Sequence, residues 1–217
     1  LALVDLASAI KFLHENNVIY RDLKPENIGF DIRGDLKLFD FGLSRELPPD
    51  TQKDKLGLYQ MTCRTGSRRY MSPESTLGYP YNLSSDVYSF SILAWEIITL
   101  KQPFHDINVR QHEILVARGG MRPNIVHNFP KEFLGKKNNS RFRGGTKTNT
   151  ESSSNSRDIC RFLSMCWDTD PHIRPKSSEV WQKMNEEFAA AAVIIDHIHD
   201  DKNSNIMISR NDVLLDR

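Results

Sequence analysis

Cysteine is scarce: the 217 residues hold three, Cys63, Cys160 and Cys166. An odd count without framework spacing excludes a disulfide-stapled scaffold and suits a reducing compartment, so an intracellular, cytoplasmic location is expected. Cys160 and Cys166 fall in an apolar helical pattern and read as core rather than as reactive thiols. Long hydrophobic runs are missing too. The longest, 188–195, is too short to cross a bilayer, and no basic segment with an apolar core opens the chain. No membrane segment and no secretory signal are therefore expected. Charge of either sign is not in excess: 29 Lys and Arg against 28 Asp and Glu leave +1, which gives nucleic-acid binding no support. No internal repeat is visible, and G-x-G-x-x-G occurs nowhere. Gly119-Gly120 and Gly144-Gly145 stand in the wrong context for a phosphate-cradling loop. What remains is ordinary: 39% hydrophobic and 26% charged residues, on a chain long enough for one core.

Against this plain background one stretch stands out. Residues 18–42 read V-I-Y-R-D-L-K-P-E-N-I-G-F-D-I-R-G-D-L-K-L-F-D-F-G, with Asp22, then Asn27, then Asp40-Phe41-Gly42. Segments 18–20, 27–30 and 36–39 read as short strands and 32–35 as a turn, so a hairpin carries Asn27 and Asp40 to one end of a small sheet. Upstream, Leu3, Leu6, Ala7, Ile10 and Leu13 recur at helical spacing, with Asn16-Asn17 as the stop. A helix over 85–100 is apolar on most sides, the mark of a buried central helix. Helical spacing resumes at Ile159, Phe162, Leu163 and Cys166, and again from 178 towards 198. Between 135 and 157 the chain turns to Lys, Asn, Ser, Arg, Gly and Thr, with Phe142 as its one large apolar residue. Such a segment cannot bury enough surface to offset chain entropy and is expected to be a disordered insertion. Its Lys and Arg could dock an acidic partner, although a solvated loop is the plainer reading. The tail beyond Asp200 is polar, with a short apolar patch at 206–208.

The 18–42 stretch resembles the catalytic and metal-binding loops of the eukaryotic protein kinase family, with Tyr20 where His usually begins the first motif. That resemblance implies roles. Asp22 would accept the proton of a substrate hydroxyl, Lys24 would neutralise the transferring phosphate, and Asn27 and Asp40 would hold the metal ions. ATP and Mg are the implied cofactors, and a protein hydroxyl is the implied acceptor. Tyr20 would pack beneath Phe41. Further on, 66–74 read G-S-R-R-Y-M-S-P-E, similar to the family's G-T-x-x-Y-x-A-P-E with Ser67 for Thr and Ser72 for Ala. Ser67 would then bond Asp22 and Lys24. Asp86 stands where the family braces the catalytic-loop backbone, and a helix cap is a compatible reading. C-W-D-T-D-P-H-I-R-P at 166–175 matches another family motif, in which Arg174 pairs with Glu74. A surface arginine is the default alternative. Arg21, directly before Asp22, would grip a phosphate on the activation segment. Thr62 and Thr65 are the acceptors by position, with Thr65 placed first.

The resemblance covers 1–188 and implies a mainly α fold with a small β-hairpin region: the carboxy-terminal lobe of a kinase, with 189–217 as helix end and tail. The family's glycine-rich loop, strand Lys and partner Glu have no counterpart, and Leu1 in place of Met suggests a native start further upstream. Lys24 in D-L-K-P-E-N points to the serine/threonine type, and the C-W-x-x-D-P ending leans towards the tyrosine-kinase-like group. The expectation is thus a serine/threonine protein kinase whose isolated lobe is inactive. The alternative is a non-catalytic lobe serving as an interaction scaffold.

Overall fold

The computed structural model describes residues 2–129 and 155–188. Helix α1, Ala2–Glu15, buries Leu3, Leu6, Ala7 and Ile10 along one stripe. It ends at the two asparagines, where Asn17 adopts a left-handed φ of 56° that no helix can continue. Strand β1, Val18–Ile19, then pairs antiparallel with β4, Arg45–Glu46. Between them β2, Ile28–Phe30, and β3, Leu36–Leu38, form the expected hairpin, with Ile28 opposite Leu38 and Phe30 opposite Leu36. Its turn is built by Asp31, whose carboxylate accepts the N–H groups of Arg33 and Asp35 at 2.9 and 3.1 Å, while Gly34 supplies a φ of 87°.

Each strand is shorter than its hydrophobic pattern predicts, for one reason: the missing residue spends its backbone elsewhere. Tyr20 gives its N–H to a side chain, Asn27 belongs to the 3-10 turn Pro25–Asn27, and Phe39 donates to the Asn27 carbonyl at 2.9 Å outside the ladder.

Helix α2, Pro73–Leu77, closes on Gly78 in the left-handed conformation. Helix α3, Ser84–Thr99, is buried continuously from Ser85 to Trp95 and stops at Leu100, whose N–H still reaches Glu96. It is the axis of the core. Around it α1, a helix α6 at Asn155–Cys166 and a helix α7 over 177–188 contribute Ile10, Ile159, Leu163, Cys166 and Met184 to one apolar cluster. Each such fully buried aliphatic or aromatic side chain contributes about 1.5–3 kcal/mol. A second, smaller cluster of Ile19, Tyr59, Met61 and Tyr81 lies beside β1. After α3 the chain forms the short α4, Val109–Gln111, which passes into a π-helical stretch at His112–Arg118, and then α5, Ile125–Asn128.

One expectation needs correction. Residues 155–157, placed in the disordered insertion, are the first turn of α6; the rest of that insertion and the tail lie outside the described residues. Cys166 is fully buried, and burial pushes its thiol pKa well up, as it does more weakly for the half-buried Cys160. Cys63 is exposed. Among the described residues no helix is long and apolar enough to cross a membrane.

Candidate active site

The loop from Tyr20 to Asn27 is held from below by one carboxylate. Asp86, 1% exposed, points away from its own helix and accepts the backbone N–H of Tyr20 at 2.7 Å and of Arg21 at 2.8 Å. The His14 ring completes the set at 3.0 Å. The cap reading of Asp86 does not hold: Leu83 is the capping residue of α3, and it makes no side-chain cap bond. A carboxylate buried this deeply is tolerated because its oxygens are spoken for. Pinned there, Arg21 takes a left-handed φ of 70°, and the chain turns Asp22 inward.

Asp22 is 4% exposed and saturated. Its Oδ1 accepts the N–H and hydroxyl of Ser67 at 2.8 and 2.9 Å. Its Oδ2 accepts Lys24 Nζ at 2.8 Å and Asn27 Nδ2 at 2.9 Å, and the same amide bonds the Asp22 carbonyl. Burial alone would raise the pKa of this carboxyl. The bonds from Lys24, Ser67 and Asn27 outweigh burial and hold it below the ordinary value of 3.8. The shift has a sign: the folded pKa is depressed, so its contribution to stability is present above about pH 4 and is lost as pH falls through the folded value. Asp22 in turn raises the Lys24 pKa. Ser67 bonds Asp22 alone, not Lys24 as well; Lys24 reaches the carboxylate by itself.

Ser67 gets this close because Gly66 precedes it. With φ at 100°, a Cβ there would lie 2.1 Å from the Arg21 carbonyl oxygen. Only glycine fits.

Across the hairpin, Asp40 has a left-handed φ of 51° and accepts the Gly42 N–H at 3.1 Å through Oδ1. The Phe39–Asn27 backbone bond sets both residues at the same end of the sheet. Asn27 Oδ1 and Asp40 Oδ2 are oxygens of the kind a hard dication takes. Among the described residues no cluster of three or more His, Cys, Asp or Glu could hold a metal unaided. Mg²⁺ characteristically takes one or two protein ligands and completes its shell with phosphate and water. Tyr20 lies edge-on to Phe41 with ring centroids 5.4 Å apart, and its hydroxyl donates to the Phe39 carbonyl. Burial, and then the Asp22 charge, push the Tyr20 pKa up to about 12.

Arg21 reaches the other way. Its Nε donates to the Leu43 carbonyl at 2.6 Å, and its Nη1 to the Thr62 hydroxyl at 3.2 Å and the Tyr81 hydroxyl at 3.3 Å. Thr65 turns its hydroxyl to the carbonyls of Thr62 and Cys63 instead. Farther off, Arg174 grips Glu74 with two parallel bonds of 2.6 and 2.8 Å, the arginine side chain having no exposed surface at all.

Several contributors escaped sequence reasoning. His14 and Tyr81 carry no motif. Ser72, read only as a small residue, is fully buried and bonds the Ser85 hydroxyl at 2.7 Å, tying the segment before α2 to α3. The position of His14 on the buried stripe of α1 was the one available clue.

Comparison with known proteins identifies a family. A protein-family model described as the protein kinase domain matches residues 2–185. The chain is 30% identical over 183 residues to the serine/threonine-protein kinase STY17 of Arabidopsis thaliana, covering 84% of the chain and 26% of that protein. It is 34% identical over 176 residues to a probable LIM domain-containing serine/threonine-protein kinase of Dictyostelium discoideum, covering 81% of the chain and 22% of that protein. The dual specificity protein kinase shkB of Dictyostelium discoideum is 30% identical, covering 88% of the chain and 25% of its own length. The chain thus spans about a quarter of the length of these relatives. With the match running through nearly all of the described residues, the chain belongs to the protein kinase domain family.

Proposed function

We propose that residues 1–188 are the catalytic, carboxy-terminal lobe of a serine/threonine protein kinase, which transfers the γ-phosphate of ATP to a protein hydroxyl. The single observation that carries this reading is the Asp22 carboxylate, buried, ionised and bonded through both oxygens in a loop locked to Asp86. Of its partners, Lys24 is the one that can leave, because its side chain is 23% exposed on a flexible stem. An acceptor hydroxyl takes that place at Oδ2, and Lys24 swings to face the transferred phosphate. A carboxylate held this acidic is a weak base. It orients the hydroxyl and takes its proton late in the transfer, which suits a reaction governed by positioning and charge. Asn27 and Asp40 are the residues that would hold Mg²⁺. When bound, Mg–ATP supplies the phosphoryl group and the metal spreads its charge. The serine/threonine preference rests on Lys24 and on the named activities of two of the relatives above. Three free cysteines suit an intracellular setting.

Arg21 gives this enzyme a regulatory handle. A phosphate on the activation segment adds about −2 charge and orders the loop through charge-assisted bonds to Arg. The reach of Arg21 favours Thr62 over Thr65. In the endogenous polypeptide that contains the chain, Thr62→Ala is expected to lower kinase activity roughly tenfold or more, with Thr65→Ala close to native. Full activity of Thr62→Ala, measured by phosphate incorporation, contradicts that assignment.

The 217-residue chain alone is expected to be inactive, since no glycine-rich loop in its sequence could cover the phosphates. The test is incubation with Mg and γ-labelled ATP beside a generic protein substrate, with the endogenous polypeptide in parallel. Incorporation by the polypeptide and background by the chain is the expected pair. Background from both defeats the kinase reading, and turnover by the chain alone defeats the requirement for a cover.

A further inference from the structure

Behind the activation segment lies a cavity of about 500 Å³ that the proposed chemistry leaves unused. Leu47, Lys53, Gly57 and Tyr59 of that segment form one wall. The other walls are the end of α1, the start of α3 and the start of α7. A space of this size is that of a small-molecule site rather than of a few trapped waters. The segment over it is firmly held. Tyr59 and Tyr81 exchange both backbone bonds at 3.0 Å, and the Tyr59 hydroxyl donates to Asp50, 3.0 Å away. Lys53 lies 2.7 Å from the same carboxylate. Asp54 accepts the N–H groups of Leu56 and Leu58 at 2.8 and 2.9 Å.

Polar groups on these walls are left unmet. The first N–H groups of α7 have no carbonyl within the helix to bond. Glu179 takes the N–H of Lys176 at 2.7 Å, but those of Ser177 and Ser178 find no acceptor among the described residues. The Ser177 side chain, in a residue 7% exposed, also makes no hydrogen bond among the described residues. Lys176, exposed at the rim, has no ion pair among them. His14 adds a second unmet group from α1. Its ring is buried and its Nε2 is taken by Asp86 at 3.0 Å, while Nδ1 has no partner among the described residues. Since Nε2 donates to the carboxylate, Nδ1 of the neutral ring is an acceptor. Glu15 is the only carboxylate among the lining residues, and Lys11 lies 3.7 Å from it. A helix start with a free lysine and an orphaned hydroxyl is a place for an anion once a cavity gives it room.

We propose that this cavity binds a small organic anion, a ring-sized body bearing one carboxylate or phosphate together with a hydroxyl or amino group. The anion meets the N–H groups of Ser177 and Ser178 and the Ser177 hydroxyl, with Lys176 beside them. The donor group meets His14 Nδ1, and the ring lies against Tyr59, Leu83 and Val87. Such a ligand touches the activation segment on one side. On the other it reaches, through His14, the Asp86 carboxylate that pins Tyr20 and Arg21. It binds only while the segment closes the cavity, so its occupancy favours the ordered segment. The inference goes beyond the kinase reading and does not rest on it. A carboxylate and a phosphate share the chemistry, and the two are separated below.

The test is binding, without turnover. Para-hydroxybenzoate, para-hydroxyphenyl phosphate, the neutral para-hydroxybenzyl alcohol and the cationic tyramine are titrated against the 217-residue chain by calorimetry, with hydrogen exchange in parallel. One of the two anions is expected to bind with a Kd below about 1 mM, roughly tenfold or more tighter than the alcohol. The tighter of the two identifies the anion. Exchange should slow at the amides of 57–59. Lys176→Glu and Ser178→Asp, both at exposed positions, should each remove the preference for the anion and turn it to tyramine, which shows that the cavity is still formed. An acid in the first turn of a helix also suits its dipole, so neither variant should unfold the chain. No binding of either anion, equal binding of anion and alcohol, a preference that survives both variants, or protection confined to residues outside 47–61 overturns the inference. Each of those results leaves the kinase reading untouched.

Discussion

Arg174→Met is expected to destabilise the chain by about 3–5 kcal/mol. The cost does not come from the lost attraction alone. Arg174 donates to both oxygens of Glu74, to the Asp168 carbonyl at 2.9 Å and to the Ser84 carbonyl at 3.2 Å, and it lies 5.2 Å from the centroid of the Tyr88 ring. Removing it leaves a carboxylate that is 6% exposed and two carbonyls without their donor. Against a total stability of roughly 5–15 kcal/mol for a folded domain, that is a large share. The measurement is the urea midpoint of the 217-residue chain. One control separates charge from packing. Glu74→Gln added to Arg174→Met should recover a large part of the loss, because the residue left behind is neutral. A loss under 1 kcal/mol, or no recovery in the double variant, contradicts the pairing as an anchor.

The parts of this molecule that were legible from sequence are those in which spacing along the chain fixes spacing in space. Asp22 and Asn27 meet because they stand five positions apart across one proline turn. Asn27 and Asp40 meet because a four-residue Asx turn folds the strands between them back on each other. Arg174 and Glu74 lie a hundred residues apart and were legible only through the motifs around each. Where neither device operated, the reading stopped short. Thr62 and Thr65 look alike in sequence, and only the path of the Arg21 side chain tells them apart. Strand ends at Tyr20, Asn27 and Phe39 were lost because their backbone groups bond outside the ladder, a tertiary choice that propensity does not carry. The polar residues Asn155, Ser156 and Arg157 looked like loop, yet they form the first turn of a helix that carries Ile159 and Leu163 into the core. His112 gave no signal at all, since nothing in its neighbours in sequence announces a buried ring packed edge-on against Phe104.

Asp22→Asn bears on the chemistry itself. The substitution keeps the size and leaves one oxygen to accept from Ser67, so the loop on Asp86 should stay in place. What it removes is the negative charge at Oδ2, where Lys24 and Asn27 now converge and where the acceptor hydroxyl would be held. Losing a positioned base of this kind costs about 10²–10⁴ in rate. The decisive measurement is the kcat for Mg-dependent phosphate transfer to a protein serine by the endogenous polypeptide that contains the chain, native beside Asp22→Asn. ATP affinity is followed in both. The expected result is a fall in kcat by two to four orders of magnitude, with ATP binding nearly unchanged because Asn27 and Asp40 remain. A variant that transfers phosphate at the native rate would mean that Asp22 is not the residue on which the chemistry turns.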